Sequence, residues 1–488
     1  MRQAVAQGDA DAEAAGGTVR WGLAGLALAM LLSSLGISIA NVGLPALASA
    51  FEVPFREVQW VVLAYLLAIT TLIVGVGRLG DIVGRRRLLL AGIALFTAAS
   101  AVAAAASGLW MLVAARAVQG LGAAAMMALA TAFVGDTVPK ARIGRAMGLM
   151  GTMSAIGTAL GPTLGGALIA AFGWPAIFLV IVPPGVAAFL LARHGLPADR
   201  VAAGSGQGRF DIAGTLILAL TLAAYALAMT GGHGWLDSVL LLAAAGGAGL
   251  FLAVERAVEK AMASPLLRTD MLRDRGLSGR LLMSMLVATV LMATLVVGPF
   301  HLARALGLGT AAVGIAMSAG PLVAALTGVP AGRLVDRFGA PGMTILGLSA
   351  VAGGCILLAL LPATLGVAGY SVPIAVVTAG YALFQTANNT AVMAGVEKDR
   401  RGVVSGLLSL SRNLGLVTGA SAMGMVFALG VGTDAAAAAP DAVAAGTRMT
   451  FAVGAALAAV ALAIAWGAVR QAPPAAPPAA PRGETMQP

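Results

Sequence analysis

The stretch GRLGDIVG at residues 77–84 recurs as GRLVDRFG at residues 332–339. Glycine, arginine, leucine, aspartate and glycine occupy the same offsets in both copies, which gives five matches in eight positions. Each copy follows one long apolar run and precedes another, so each is a short link between two such runs. Recurrence at equivalent points of the chain predicts two related halves. Chance repetition of a glycine-rich turn explains so many matches poorly.

The composition around these links excludes a soluble enzyme. Of the 488 residues, 59% are apolar and 10% are charged, against ~45–50% and ~25% in ordinary soluble domains. The net charge of +10 lies in short clusters between apolar runs, which indicates anionic lipid headgroups rather than nucleic acid. Cys355 is the only cysteine, so one chain forms neither a disulfide nor a cysteine-based metal site.

The apolar runs predict fourteen transmembrane helices, because ~17–25 residues are needed to cross the hydrocarbon. We therefore expect an all-α membrane protein with two six-helix bundles and an inserted pair of helices. The predicted spans are 21–48, 58–77, 88–106, 109–134, 146–170, 174–192, 212–231, 238–254, 281–302, 311–331, 342–361, 370–394, 403–429 and 450–469.

The domain boundaries follow from these spans. We predict a cytoplasmic N-terminal tail at 1–20, without a cleaved signal peptide, and a disordered Ala/Pro-rich tail at 471–488. The remaining predicted units are an N-terminal bundle at 21–193, an inserted pair of helices with its loops at 194–277 and a C-terminal bundle at 278–470.

The basic residues orient the spans. If alternate loops face the cytoplasm, beginning with the N-terminus, 25 lysines and arginines lie inside and three, Arg56, Arg304 and Arg448, lie outside. The other two, Arg116 and Arg412, fall within spans. This asymmetry predicts a multi-pass protein of the cell membrane with both termini in the cytoplasm.

The sequence contains no convincing nucleotide site. GVGRLG at 75–80 matches the dinucleotide fingerprint, but it ends a membrane span instead of following a strand in a βαβ unit. No phosphate-binding G-x-x-x-x-G-K-[ST] motif occurs. We expect no cofactor and no metal, and energy from an ion gradient, the substrate gradient or a partner subunit.

Charged residues in or beside the membrane are the candidates for gating and proton coupling: Arg116, Asp81, Arg85, Asp336 and Arg412. A buried arginine is costly and marks a functional site by default. The alternative for Arg116 is snorkelling to a headgroup, which suits the deeper Arg412 poorly. The link at 77–87 is either a conformational latch or only a basic loop that sets topology.

Two further groups lie within predicted spans. Four glycines and a proline on the fifth helix form either ordinary small-residue packing or a flexing interface between the halves: Gly157, Gly161, Pro162, Gly165 and Gly166. Five amides are candidates for the substrate path, with interhelical hydrogen bonding as the alternative: Asn41, Gln119, Gln385, Asn388 and Asn389.

Carboxylates are placed differently, because all twenty acidic residues fall in predicted loops or at predicted helix ends. A buried carboxylate relay for protons is therefore not visible. His301 lies near the outer end of its span, where it either titrates or packs at the interface.

Together these motifs resemble the major facilitator superfamily and, more narrowly, its fourteen-helix drug:proton antiporters. The resemblance covers residues ~21–470 and rests on GRLGDIVGRRR at 77–87, Arg116-x-x-Gln119-Gly120, Gly157 to Gly166, NVGLP at 41–45, QWVVLAYLL at 59–67 and the inserted helix pair. It implies that Asp81 gates the loop and that Arg116 belongs to a proton-coupling helix. It further implies that Pro162 and its glycines belong to the helix associated with exporters.

One position departs from this family pattern. Many relatives carry an aspartate shortly before the N-V-x-L-P run, where this chain has Gly36. Without that carboxylate, two buried arginines favour neutral or anionic cargo, and the residue that carries the proton is not identified.

The resemblance implies a monomeric secondary transporter, not an enzyme, that exports small hydrophobic or amphipathic compounds by alternating access. Such a multidrug or antibiotic exporter would exchange its substrate for protons across the lipid bilayer. The alternatives are a dedicated exporter of one host metabolite, a nutrient uptake permease and a non-transporting sensor.

Overall fold

The structure, a computed structural model, consists of helices joined by short links. It describes residues 2–73, 75–137, 143–197, 199, 212–230, 234–261, 274–360, 363–394, 401–432 and 438–471. Within these ranges some side chains are outside the description, including those of residues 2–19, Arg78 and Asp81. The predicted tail at 471–488 lies outside the described residues beyond Gln471.

No strand occurs within the described ranges. The α-helices are Arg2–Phe51, Phe55–Val58, Trp60–Ile73, Val76–Val83, Arg85–Ala104, Leu109–Thr137, Ile143–Phe172, Ala176–Leu179, Val182–Gly195, Ile212–Thr230, Trp235–Ala261, Arg275–Phe300, Thr310–Met317, Ala319–Phe338, Ala340–Leu360, Gly366–Ala394, Arg401–Val431 and Pro440–Gln471.

These helices supply fourteen segments that are long and apolar enough to cross a membrane, which confirms the predicted fold class. We number them from first to fourteenth along the chain. The second, sixth and tenth spans each consist of two consecutive helices, and the ninth continues into a π-helical turn, His301–Ala305. The short helix Val76–Val83 links the second span to the third.

Several predicted boundaries were wrong by four residues or more; the ninth span, for example, begins at Arg275 instead of 281. The last helix begins at Pro440 instead of 450, so Arg448 is an exposed helical residue and does not lie in a loop. The tenth span runs to Phe338 instead of 331. A helix can continue beyond its apolar run, because the charged side chains near its end point away from the protein. Hydropathy therefore places the end of the span several residues too far inside the helix.

The two copies of the repeated link end in the same backbone conformation. Gly84 has φ 102° and Gly339 has φ 82°, and each separates the helix before it from the helix after it. Side chains rarely tolerate such positive φ values, which explains a glycine at the last position of both copies. The sequence repeat is therefore also a structural repeat.

Glycines bring equivalent helix pairs of the two bundles into backbone contact. Gly92 meets Gly122 between the third and fourth spans, and Gly347 meets Gly380 between the eleventh and twelfth. Likewise, Gly157 lies against the first span, and Gly415 lies against the ninth. Spans one to six and nine to fourteen thus form two matched bundles.

The seventh and eighth spans pack on each other, and the seventh also contacts the second and thirteenth spans. Only 11% of the apolar part of the eighth span is buried in protein. The inserted pair is therefore a peripheral hairpin whose surface is mostly lipid-facing.

The first span begins where the sixth span ends, and there Gly22 lies against the backbone of Gly195. The repeated link at 77–87 is at this same end. We call it the basic end, and the other side the opposite end.

Asp199 fixes the start of the third span at the basic end. Its carboxylate oxygens accept hydrogen bonds from the backbone N–H groups of Arg86, at 2.7 Å, and Arg87, at 3.2 Å. Arg86 in turn donates from Nη2 to the Arg193 carbonyl. A carboxylate at a helix N-terminus satisfies free N–H groups and opposes the helix dipole. Asp199 therefore ties the end of the first bundle to the link at 77–87.

We expect Asp199→Ala to lower the free energy of unfolding by about 1 kcal/mol, the usual cost of losing an N-terminal cap. Thermal unfolding of the purified protein measures the change. Arg87→Ala is the control, because the Arg87 side chain is exposed and its bond to Asp199 comes from the backbone N–H, which alanine keeps. Equal melting temperatures for the two variants would contradict the capping role.

Candidate functional site

A cavity of about 330 Å³ lies between the two six-helix bundles. The first, second, fourth and fifth spans line one side, and the ninth, tenth, twelfth and thirteenth line the other. Its volume falls at the lower end of the range typical of ligand pockets. The cavity thus combines matched spans from both bundles.

Most of the surface that lines this cavity is apolar, although apolar and polar side chains are nearly equal in number. The apolar side chains include Ile37, Leu66, Ile69, Met127, Leu291, Leu295, Met317, Pro321, Ala324, Ile374 and Leu416. Polar side chains are slightly fewer: Ser34, Ser154, Thr158, Thr294, Tyr370, Thr378, Tyr381, Gln385, Arg412 and Asn413. Such a surface suits compounds that are apolar over most of their area.

Arg412 is the one charged residue among the described residues that line the cavity. Tyr381 lies beside both Arg412 and Gln385. The next residue, Asn413, is 4% exposed and also lines the cavity. The sequence prediction missed Asn413, although its position beside a buried arginine in SRNLG could have indicated it.

Of the five predicted substrate-path amides, Gln385 alone lines the cavity as described. Asn41 is buried and donates to the Ile37 carbonyl at 2.8 Å. Asn388 is also buried and donates to the Arg280 carbonyl at 3.3 Å, whereas Asn389 is exposed. Gln119 belongs to a separate network. Interhelical bonding, the alternative reading, describes Asn388 better.

Arg116 is fully buried inside the first bundle and does not line the cavity. Its Nε donates to the Val61 carbonyl at 2.9 Å, and its Nη1 donates to Gln119 Oε1 at 2.5 Å. Gln119 Nε2 in turn donates a hydrogen bond to Ser100 Oγ at 2.7 Å. This network joins the second, third and fourth spans and rules out snorkelling.

Aromatic rings complete the enclosure of Arg116. Its Cζ lies 4.1 Å from the Tyr65 ring centroid and 5.9 Å from that of Phe178. The face of an aromatic ring attracts a cation, most strongly away from water. The described partners of Arg116 are therefore a carbonyl, an amide and two rings.

The same Tyr65 fills the space beside Gly36. A Cβ at Gly36 would lie 3.1 Å from Tyr65 Oη and 3.2 Å from Phe96 Cζ. The Tyr65 hydroxyl donates to the Ser33 carbonyl at 2.8 Å, which fixes the ring between Gly36 and Arg116. A tyrosine therefore occupies the position from which a first-span carboxylate would approach Arg116.

The glycines of the fifth span contact both bundles. Gly157, Gly161 and Gly165 face the first span, where a Cβ at any of them would overlap its atoms. Gly166 faces the tenth span, and a Cβ there would lie 2.9 Å from Gly314 Cα. A Cβ at Gly314 would overlap the carbonyl of Pro162. The fifth span thus crosses between the bundles through backbone contacts.

Three phenylalanines from both bundles meet nearer the opposite end than the cavity does. Phe55 of the second span lies 4.8 Å from Phe300 of the ninth and 5.3 Å from Phe427 of the thirteenth, between ring centroids. All three are buried. This aromatic cluster joins the two bundles near the opposite end.

The remaining predicted gating residues lie at the basic end. Arg85 is half-buried at the start of the third span, and Asp336 is exposed in the last turn of the tenth. The side chain of Asp81 lies outside the described residues.

Glu255 is a buried carboxylate that the sequence prediction assigned only to a helix end. It is fully buried near the end of the eighth span. One turn earlier, Phe251 packs in a cluster with residues of the seventh and thirteenth spans. No signal within the eighth helix itself indicates this burial, which comes from its neighbours. Among the described residues, no three acidic, histidine or cysteine side chains are grouped to hold a metal.

Comparisons with known proteins agree with this architecture. A sequence profile of the Major Facilitator Superfamily matches residues 26–420. Riboflavin transporter RibZ of Clostridioides difficile is 27% identical over 411 residues, covering 83% of this chain and 87% of RibZ. Multidrug resistance protein Stp of Mycobacterium tuberculosis is 31% identical over 418 residues, covering 83% of this chain and 74% of Stp.

A solved structure shares the fold at low sequence identity. It is the crystal structure of a bacterial homologue of the human lysosomal transporter Spinster, in an inward-facing and unoccupied conformation. The TM-score is 0.68 at 16% identity, covering 93% of this chain and 97% of the other.

We expect Phe55→Ala to open the opposite end. Each aromatic pair contributes ~0.5–1.5 kcal/mol, so losing two pairs should increase the open population roughly tenfold. Spin labels on Ser107→Cys and Arg304→Cys, in a Cys355→Ala background, report the distance between the bundles at that end. Phe172→Ala is the control, because Phe172 is 76% exposed at the same end. Unchanged label distances in Phe55→Ala would contradict a sealing role.

We expect Gly166→Ala to force the fifth and tenth spans apart and to lower stability by about 1–3 kcal/mol. Thermal unfolding and transport rate should both fall. The control is Gly353→Ala, since a Cβ at Gly353 meets nothing within 4 Å. Equal stability and equal transport rates in the two alanine variants would show that the fifth and tenth spans do not need close backbone contact at Gly166.

Proposed function

The chain belongs to the major facilitator superfamily, and we propose that it exports small hydrophobic or amphipathic compounds in exchange for protons. Members of this family are transporters and not enzymes. The chain is accordingly a multi-pass membrane protein that carries small molecules, and the proposal concerns direction, coupling and substrate.

The cavity between two matched bundles is the observation that carries this proposal. It extends to Gly151 and Arg412, which lie in the halves of the fifth and thirteenth spans nearer the basic end, while the aromatic cluster lies towards the opposite end. Rocking of one bundle against the other would part the rings and close the basic end. Such alternation moves a solute without a continuous pore.

Two observations support export, and a third supports hydrophobic cargo. The fifth span carries Pro162 among glycines that contact both bundles, as the resemblance to exporters implies. The relative Stp is by name a multidrug resistance protein, and the mostly apolar surface of the cavity suits hydrophobic compounds. RibZ, a riboflavin transporter by name, favours the alternatives of one dedicated substrate or of nutrient uptake.

We further propose distinct roles for the charged residues. Arg116 would hold the second and fourth spans in register during proton coupling, and Arg412 would contact substrate. Asp81 and Arg85 would form the latch at the first link, with Asp336 at the second. The basic end would face the cytoplasm, together with both termini, in a monomer in the cell membrane.

Flux into proteoliposomes tests this proposal. Purified protein is reconstituted, a pH gradient is imposed, and accumulation of a panel of anionic, neutral and cationic amphipathic dyes is followed. We expect gradient-driven accumulation of at least one dye, which collapses with the gradient. A pH indicator inside the vesicles should report proton movement in the opposite direction. Accumulation that ignores the gradient would contradict proton coupling.

We expect Arg116→Ala to abolish gradient-driven accumulation while the protein still inserts and reconstitutes. The change removes the bonds to the Val61 carbonyl and Gln119 and empties the space beside Tyr65. Arg304→Ala is the control, because Arg304 is an exposed arginine at the opposite end. Normal coupled flux in Arg116→Ala would refute a coupling role.

A further inference from the structure

We infer that the cavity binds an amphipathic monoanion, with its charged head on Arg412 and Asn413 and its apolar body among the aliphatic side chains. This inference deepens the proposed function by naming the class of substrate. It rests on the charge, the unpaired donors and the polarity of this one cavity.

The charge of the cavity points to an anion. Among its described lining residues Arg412 is the only one with a formal charge, and none is acidic. A guanidinium stays protonated under all ordinary conditions. A cationic ligand would face an uncompensated like charge, whereas an anion would neutralise it in a poorly solvated site.

Two hydrogen-bond donors without partners lie on the same side of the cavity as this charge. Arg412 Nε and Asn413 Nδ2 are buried and have no hydrogen-bond partner among the described residues. Of the buried side-chain atoms in that part of the chain that lack a partner, these two belong to residues that line the cavity. Nearly all buried donors in native proteins are satisfied, so exceptions call for a ligand or another specific cause. Two adjacent donors fit the oxygens of one carboxylate, sulfonate or similar head.

The far wall offers no competing charged site. Ser34 and Ser154 satisfy each other with a hydrogen bond of 2.6 Å. Beside them Ile37, Leu66 and Ile69 present aliphatic surface. The polarity therefore runs from one donor-rich pole to an apolar wall, which fits a single head on an apolar body.

Arg116 shows that Arg412 is not simply a structural arginine. Arg116 is enclosed by a carbonyl, an amide and two aromatic rings within one bundle. Arg412 instead borders the cavity between the bundles, beside Tyr381 and Gln385. Each arginine has one buried nitrogen without a partner among the described residues, Nη2 of Arg116 and Nε of Arg412. Arg412 alone lines the cavity, so it is the arginine that a ligand in the cavity can approach.

Two fluorescent dyes with one ring skeleton test the inference. They are 8-anilinonaphthalene-1-sulfonate, an anion, and N-phenyl-1-naphthylamine, its neutral analogue. Binding is measured to the full chain in phosphatidylcholine nanodiscs, with empty nanodiscs subtracted. We expect the anion to bind at least roughly tenfold more tightly, as a charge-assisted hydrogen bond implies. Equal affinity for the two dyes would overturn the inference without any variant.

Variants locate the preference. Arg412→Gln should weaken anion binding roughly tenfold or more and leave neutral-dye binding unchanged. Arg412→Lys should retain part of the preference, because it keeps the charge but loses the planar fork. Arg304→Gln is the control and should change neither affinity. Anion binding that survives Arg412→Gln overturns the inference, and neutral-dye binding verifies that each variant is folded.

The anionic head belongs either to a soluble compound or to a lipid. Repeating the titration with phosphatidylglycerol in the nanodiscs separates the two sources. Competition that disappears in Arg412→Gln identifies a lipid headgroup, and unchanged dye affinity identifies a soluble anion. Both results agree with the inference. The measurement needs no gradient, so selective binding without flux would contradict the proposed function alone.

Discussion

Helices in a bilayer gain little from hiding apolar side chains, because the lipid is as apolar as leucine. Their association depends on close contact, and glycine provides the closest contact available. In this chain the pairs Gly92 with Gly122 and Gly347 with Gly380 bring backbones together at equivalent places in the two bundles. The same kind of contact at Gly166 and Gly314 joins one bundle to the other. The positions of these glycines therefore determine which helices pack together.

The two buried arginines show how this architecture handles charge. Arg116 sits among fixed acceptors and rings, which compensate for its removal from water. Arg412 has tyrosine and amide neighbours and lines the cavity between the bundles, which Arg116 does not. One charge thus stabilises a bundle, while the other leaves the cavity with an unsatisfied positive pole. In our proposal, substrate binding and bundle stability therefore depend on different arginines.

The sequence predicts the number and type of helices because hydropathy depends on local composition. It also predicts one small-residue face at Gly157, Gly161 and Gly165, since residues four apart lie on the same side of a helix; the contact of Gly166 with the tenth span depends on the neighbouring bundle. It could not predict which amides reach the cavity, because Asn388 and Gln385 differ only in the rotation of one helix. Glu255 is likewise buried by neighbouring helices that its own segment does not specify. The helix ends at Pro440 and Phe338 were missed because each helix extends several residues beyond its apolar run.

The aromatic cluster at the opposite end contains only apolar rings, without a salt bridge among them. Apolar association in water weakens on cooling, unlike a bond between opposite charges. Opening this end exposes Phe55, Phe300 and Phe427 to water, so its free-energy cost falls as the membrane cools. If the two bundles alternate as proposed, the balance between the two open states would therefore shift with temperature, because exposing these three rings to water carries a positive heat-capacity change.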